Sequence, residues 1–328
     1  MTIHRLWWSV NEAKLVYQSA LNGQRAELEL VDPAALSYRL VVDGISQSQV
    51  CLTDPLAIEF DYARYIARVL DELPPGPDSA FVVAHLGGGA LTLARYVAAT
   101  RSSAVQYVVE SEAERTTDLL GILPLPPGSD VRFLFDDARA VIDGCPAGSL
   151  NGASASERPG PPPWSGAQAT IVDLWAGSTI ARRVASLQFY SGVSRLMAPA
   201  GVFVANLIDG PGFAWSRRQA ATIATLFAHV AIVMDGRMLA DPLIGNVLVF
   251  GADVPLDMLS EPGWPAGDRN PPAVLSGERA TRWIGDASPV DDTEATDSPP
   301  PRADYFARFS KGPGGLVGTL GDAVRRQH

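Results

Sequence analysis

Three consecutive glycines, Gly87, Gly88 and Gly89, follow the apolar run FVVAHL and open the amphipathic stretch ALTLARYVAAT. A strand that ends in glycines and turns into a helix lets its backbone approach a ligand closely, and the helix start behind it supplies N–H donors. That arrangement suits a nucleotide or nucleoside. The full dinucleotide fingerprint needs a further glycine at position 92, where Thr92 stands.

Acids recur at the ends of the next apolar runs. Glu110 closes AVQYVVE about 20 residues after the glycines, where a carboxylate accepts hydrogen bonds from a ribose diol. Asp137 closes VRFLFDD and Asp173 closes ATIVD. One such Asp alone is a helix cap or a turn former. Several in series, at the C-terminal ends of successive parallel strands, line the crevice in which open α/β sheets bind ligands. Up to Glu110, a nicotinamide dinucleotide and an adenosylmethionine fit equally. The last two acids are those an adenosyl-sulfonium site uses, for the adenine and for the reacting end.

The elements that position these residues follow from the periodicity. Residues 26–52 alternate in strand fashion around Asp32-Pro33 and Asp43-Gly44, and read as a small antiparallel sheet. Residues 56–72 have helical spacing and end at Pro74-Pro75-Gly76. From residue 80 onward, buried-type strands alternate with helices, which implies βαβ units and an open sheet with right-handed crossovers. The expected fold is α/β: a mostly parallel, seven-stranded, Rossmann-like sheet of methyltransferase type with a small N-terminal β domain. The expected organisation is an N-terminal strand region and linking helix over 1–75 and a nucleoside-binding domain over 76–255. The Gly/Pro/Ser-rich stretch 144–168 reads as a flexible insertion, and the Pro- and Asp-rich 256–328 as a largely disordered tail.

Composition narrows the partners. A formal charge of −10 over 328 residues argues against nucleic acid, whose phosphates need a basic face. No apolar run approaches the roughly 20 residues that span a bilayer, and Met1 to Val10 lacks a secretory h-region, so a cytoplasmic protein without membrane contact is expected. Cys51 and Cys145 have no metal or redox spacing, and the four histidines are scattered, so no metal is expected.

The series FVVAHLGGGALTLARYVA, VVESE, FDDAR, IVDLWAG and LQFYSGVSRLMAPAGVFVAN resembles the motif order of the spermidine synthase (aminopropyltransferase) family. With VVDGISQSQ and IEFDYARYI upstream, the resemblance covers roughly residues 26–252. It implies a donor that is decarboxylated S-adenosylmethionine or S-adenosylmethionine itself, a small-molecule amine or other nucleophilic acceptor, and a homodimer. By position, Gln47 matches a glutamine at the nucleoside end, and Tyr62 the tyrosine of the family's Tyr-His-Glu triplet. Gly87, Gly88 and Gly89 match its glycine loop, and Glu110 the ribose-binding acid. Asp137, with Ala138, matches the adenine-binding acid, and Asp173 the catalytic aspartate. The chain departs from the family at Ala63 and Arg64 in the triplet, at Ala90 after the glycines and at Ala176 after the catalytic acid, all on the amine side. Two further readings stay open. One is an S-adenosylmethionine-dependent methyltransferase, in which Ala90 makes room for a donor carboxylate. The other is a catalytically silent nucleoside-binding or interaction protein.

Overall fold

The computed structural model describes residues 14–76, 81–144, 164–241, 243–259 and 271–300. The N-terminal strands β1 (Lys14–Gln18), β2 (Arg25–Asp32), β3 (Ser37–Val42) and β4 (Ile45–Cys51) form an antiparallel four-stranded sheet in chain order. Asp43 and Gly44 both adopt positive φ, at 49° and 80°, so β3 and β4 are joined by a two-residue hairpin whose twist matches the strands. The helix α1 (Asp61–Glu72) follows, with Ala63, Ile66, Ala67 and Leu70 on its buried face.

A second sheet takes up the rest of the chain. Its first strands are β5 (Phe81–Leu86), β6 (Ala104–Val109), β7 (Asp130–Leu134), β8 (Ala167–Val172) and β9 (Met197–Asp209), all parallel to one another. The connecting helices are α2 (Thr92–Thr100), α3 (Ala113–Ile122), α4 (Ala138–Ile142) and α5 (Leu187–Ser194). Then come α6 (Ala214–Ala224), β10 (His229–Asp235), β11 (Gly245–Ala252), β12 (Pro272–Ser276) and α7 (Glu278–Ile284). The spatial order is β12-β10-β11-β9-β8-β5-β6-β7. β11 runs antiparallel to β9 and β10, and β12 runs antiparallel to β10. The fold is therefore the expected mostly parallel α/β sheet with a small antiparallel β domain, but with eight strands where seven were expected.

Strand alternation sorts the core onto two faces. Leu86, Phe203, Ala205 and Val249 pack with Phe189 and Tyr190 of α5 and Ile223 of α6. Val83, Ile171, Val204 and Leu248 pack with Ile66 and Leu70 of α1 and Val97 of α2. Strands apolar on both sides are what a sheet covered by helices on both faces requires.

The eighth strand corrects the expectation of a disordered tail. β12 pairs along β10 from Ala231 to Asp235, and α7 buries Ala280 and Trp283 against Phe213. Beyond α7, residues up to 300 lie along the domain, with Val290, Ala295 and Ser298 buried. The insertion also closes earlier than expected: Trp164 is 1% exposed, its ring 5.9 Å from Tyr107, and β8 begins at Ala167. The remaining parts of those two segments, 145–163, 260–270 and 301–328, lie outside the described residues. Among the described residues no helix is long and apolar enough to cross a membrane.

Candidate functional site

From β5 the chain winds outward through β6 to β7, then returns to place β8 on the other side of β5. The crevice beyond the C-terminal ends of β5 and β8 is thus the switch point at which open α/β sheets bind ligands. A cavity of about 290 Å³ lies there, walled by the glycine turn, by the ends of β6 and β8, and by Leu40, Val42 and Ile45–Ser48 of the N-terminal sheet. It brings together all nine residues matched from the sequence: Gln47, Tyr62, Gly87, Gly88, Gly89, Glu110, Asp137, Ala138 and Asp173.

The glycines act chiefly by letting chains approach. Gly87 has φ +100°, and a Cβ there would sit 2.1 Å from the Asp173 carbonyl oxygen, so only glycine lets β5 and β8 close up at this rung. A Cβ on Gly88 would meet the Glu110 carboxylate, and one on Gly89 the Ser48 hydroxyl. The expected free N–H donors are largely engaged within the protein. Gly87 N–H donates to Val109 O, Gly88 N–H to Glu110 Oε2 at 3.0 Å, and Ala90 N–H to Ser48 Oγ at 3.0 Å. Arg95 is 4% exposed and ties the Ala90 carbonyl to those of Leu123 and Pro124, which pins the turn to the end of α3. Burial without a carboxylate partner lowers its pKa to about 10, and it remains a cation.

One end of the cavity carries four acids. Glu110 is buried and accepts from the Gly88 N–H at one oxygen and the Glu112 N–H at the other. Ser111 Oγ adds a long 3.5 Å bond to Oε1, so Oε2 is the oxygen that keeps a second lone pair for a ribose hydroxyl. Arg115 stands 3.7 Å from the Glu110 carboxylate. Glu112, which sequence reasoning passed over, accepts from Ser19 Oγ and Asn22 Nδ2 and so fastens the β1–β2 hairpin to the cavity wall. Asp136 Oδ1 accepts from the Asp137 N–H. Asp137 caps α4 through the Ala140 N–H at 2.9 Å and pairs with Arg183 at 2.7 Å, both through Oδ1. Its capping is the local role anticipated for a lone Asp, and Oδ2 stays available beside Ala138.

The other end holds one acid. Asp173 follows β8, and its N–H bonds Leu86 O. Oδ1 accepts two short bonds, from Trp175 Nε1 at 2.8 Å and Asn206 Nδ2 at 2.8 Å. Oδ2 accepts only a longer one, from the Tyr62 hydroxyl at 3.3 Å. Burial raises the pKa of this carboxyl above the usual carboxylate value, and the three donors oppose that rise. Oδ2 is thereby the more basic and less saturated oxygen. Gln47 donates to Gly177 O at 3.1 Å and so joins the N-terminal sheet to the loop after Asp173.

The four departures fall in different places. Ala63 and Ala176 line the cavity. Arg64 turns back to Asp61 and to the carbonyls of Ile58 and Glu59. Ala90 is 2% exposed within a cluster of Leu28, Leu40 and Leu119 and is not among the cavity's walls. Its small size therefore opens no room for a donor carboxylate. Among the described residues no group of His, Cys, Asp and Glu has the composition of a metal site.

This combination defines a class: an α/β protein of Rossmann-like, methyltransferase-type topology with an acid-lined cavity at its switch point and a β domain closing it. Within that class the chain is spermidine synthase-like. It is similar to a protein from Corynebacterium glutamicum described as a probable spermidine synthase, with 25% identity and a TM-score of 0.71 over 84% of this chain and 95% of that one. It also shares its fold with a spermidine synthase solved in complex with the transition-state analogue AdoDATO, at 17% identity and a TM-score of 0.52, over 74% of this chain and 75% of that one. No family model and no curated protein matches the chain.

Proposed function

We propose that the chain is an aminopropyltransferase-like enzyme that moves the aminopropyl group of decarboxylated S-adenosylmethionine to a small-molecule amine. The observation that carries this reading is the placement of Asp173, a partly buried carboxylate at the switch point, in the same cavity as the diol-type acceptor Glu110. In this reading Glu110 takes the ribose hydroxyls, Asp137 Oδ2 with Ala138 frames the adenine amino group, and Gln47 and Tyr62 border the sulfur end.

The acceptor, an alkyl ammonium with a pKa of about 10, first passes a proton to Asp173 Oδ2. The freed nitrogen lone pair then forms a bond to the methylene beside the sulfonium as the carbon–sulfur bond breaks, its electron pair stays on sulfur, and methylthioadenosine leaves. A carboxyl with a raised pKa is a better base than an ordinary one, while the Trp175 and Asn206 bonds keep it ionised. Tyr62 at 3.3 Å follows the charge on the same oxygen.

Calorimetric titration with decarboxylated S-adenosylmethionine, methylthioadenosine and S-adenosylmethionine tests this reading. The first two are expected to bind at least about tenfold more tightly than the third, a difference of ~1.4 kcal/mol. Preference for S-adenosylmethionine would make the protein a methyltransferase, and binding of none would leave the fold without this chemistry.

A further inference from the structure

Asn206 is the one polar side chain in the run VFVANLI of β9, and it is 2% exposed. An apolar residue would satisfy that interior position, whereas a buried amide must find partners on both ends. It finds two. Nδ2 donates to Asp173 Oδ1 at 2.8 Å, and Oδ1 accepts from Asn246 Nδ2 at 2.9 Å. The strands dictate the meeting. Ala205 pairs with Val172, which puts Asn206 beside Asp173, and antiparallel β11 brings Asn246 opposite Ile208, on the same side of Asn206 as the cavity.

We infer that Asn206 and Asn246 are a positioning pair for Asp173, in which Asn246 sets the direction of the Asn206 amide and Asn206 thereby holds the Asp173 carboxylate ionised with Oδ2 facing the acceptor. The inference rests on the reading of Asp173 as proton acceptor, but its test reads the carboxyl itself, so failure of aminopropyl transfer and failure of this pairing are separate results.

The chemistry follows from the two-sided nature of an amide. With Asn246 donating to its carbonyl, Asn206 can offer only its NH₂ group to Asp173, and that donor stabilises the anion. Reversed, Asn206 would turn a carbonyl dipole towards a carboxylate and lose both bonds. The reversed arrangement fits only a protonated Asp173, which would donate to the Asn206 carbonyl while the Asn206 NH₂ group bonds the Asn246 carbonyl. Proton uptake at Oδ2 leaves Oδ1 accepting from Asn206, so the pair keeps its direction while both amides register the loss of charge at Asp173. Few other groups bear on this titration. Tyr62 of α1 touches Oδ2, and the neighbouring strands bring His85, bonded to Gln106, and Asp209, bonded to Gly210 and Ser216.

Carboxyl-carbon NMR of Asp173 tests the pair. Asn206→Leu is expected to raise its midpoint by about one pH unit, the effect of losing one hydrogen bond to an ionised group. Asn246→Ala should raise it less, and should add nothing in the Asn206→Leu background, because its effect passes through Asn206 alone. The acid limb of kcat should move with the midpoint while KM for the donor stays constant. In the unmutated protein the side-chain amide resonances of both asparagines should titrate with the Asp173 midpoint, a result that stands if a variant fails to fold. A midpoint unmoved by Asn206→Leu, an Asn246→Ala effect that persists in the double variant, or amide resonances that ignore the Asp173 titration would each overturn the inference.

Discussion

Arg183 reaches the acid that frames one end of the cavity: its guanidinium lies 2.7 Å from Asp137 Oδ1, the oxygen that also caps α4. The pair is half-exposed, at 55% and 40% of the side chains, so the ion pair adds at most about 1 kcal/mol. Because the Ala140 N–H already orients the carboxylate, Arg183→Ala should change methylthioadenosine affinity by no more than about twofold. Asp137→Ala should weaken it by at least about tenfold and also cost about 1 kcal/mol of stability through the lost cap. Calorimetry and chemical denaturation of the two variants separate these effects.

Glu110→Gln should weaken methylthioadenosine binding by roughly 10- to 100-fold, because an amide keeps one acceptor oxygen where the carboxylate has two. The same variant should bind the 2′,3′-dideoxy analogue no worse than the unmutated protein does. Equal losses for both ligands would place the ribose elsewhere.

Gly87→Ala should unfold or severely destabilise the domain, by at least about 3 kcal/mol, since its Cβ would overlap the Asp173 carbonyl at a φ of +100°. Gly44→Ala has positive φ but open space around it, and should cost only about 1 kcal/mol. Denaturant midpoints with unchanged slopes would check the contrast.

His85 is 4% exposed, bonds Gln106 at 2.9 Å, and has its pKa lowered to about 4 by burial. The unfolded chain takes up a proton near pH 6.5 and the folded one only near pH 4. Stability from this residue is therefore full above pH 6.5, falls as the pH drops through the window, and levels off below about 4. The loss amounts to roughly 3 kcal/mol. His85→Gln should flatten that part of the stability-against-pH curve, measured by urea denaturation at pH 7 and pH 4.5.

Much of the site was legible because its residues sit at the ends of strands that are apolar throughout. FVVAHL, AVQYVV and ATIV can only be central strands, so Gly87, Glu110 and Asp173 had to converge on one crevice. Other features depend on pairings that sequence spacing does not express. Asn206 and Asn246 lie about 40 positions apart and meet only through the register of β9 and β11. The indole N–H of Trp175 donates to Asp173, a bond that the spacing of two residues does not express. The prolines and acids after residue 256 looked like a disordered tail because no periodicity orders them. Residues 286–300 are instead held by polar side chains on backbone groups and by ion pairs. Ser298 Oγ accepts from the Ile180 N–H, Asp297 from the Arg182 N–H, and Asp292 pairs with Arg139. β12 starts at Pro272, after Pro271, and the pair is a loop signal, yet an edge strand tolerates proline at its first residue.

The central claim is that Asp173 receives the proton of an amine that displaces methylthioadenosine from decarboxylated S-adenosylmethionine. The most direct measurement is release of methylthioadenosine from that donor, followed chromatographically across a panel of primary amines with the unmutated protein and Asp173→Asn. The account predicts amine-dependent release with one aminopropylated product per methylthioadenosine, reduced at least about 100-fold in the variant while donor binding is retained. Release that is independent of any amine, or that survives Asp173→Asn undiminished, would contradict it.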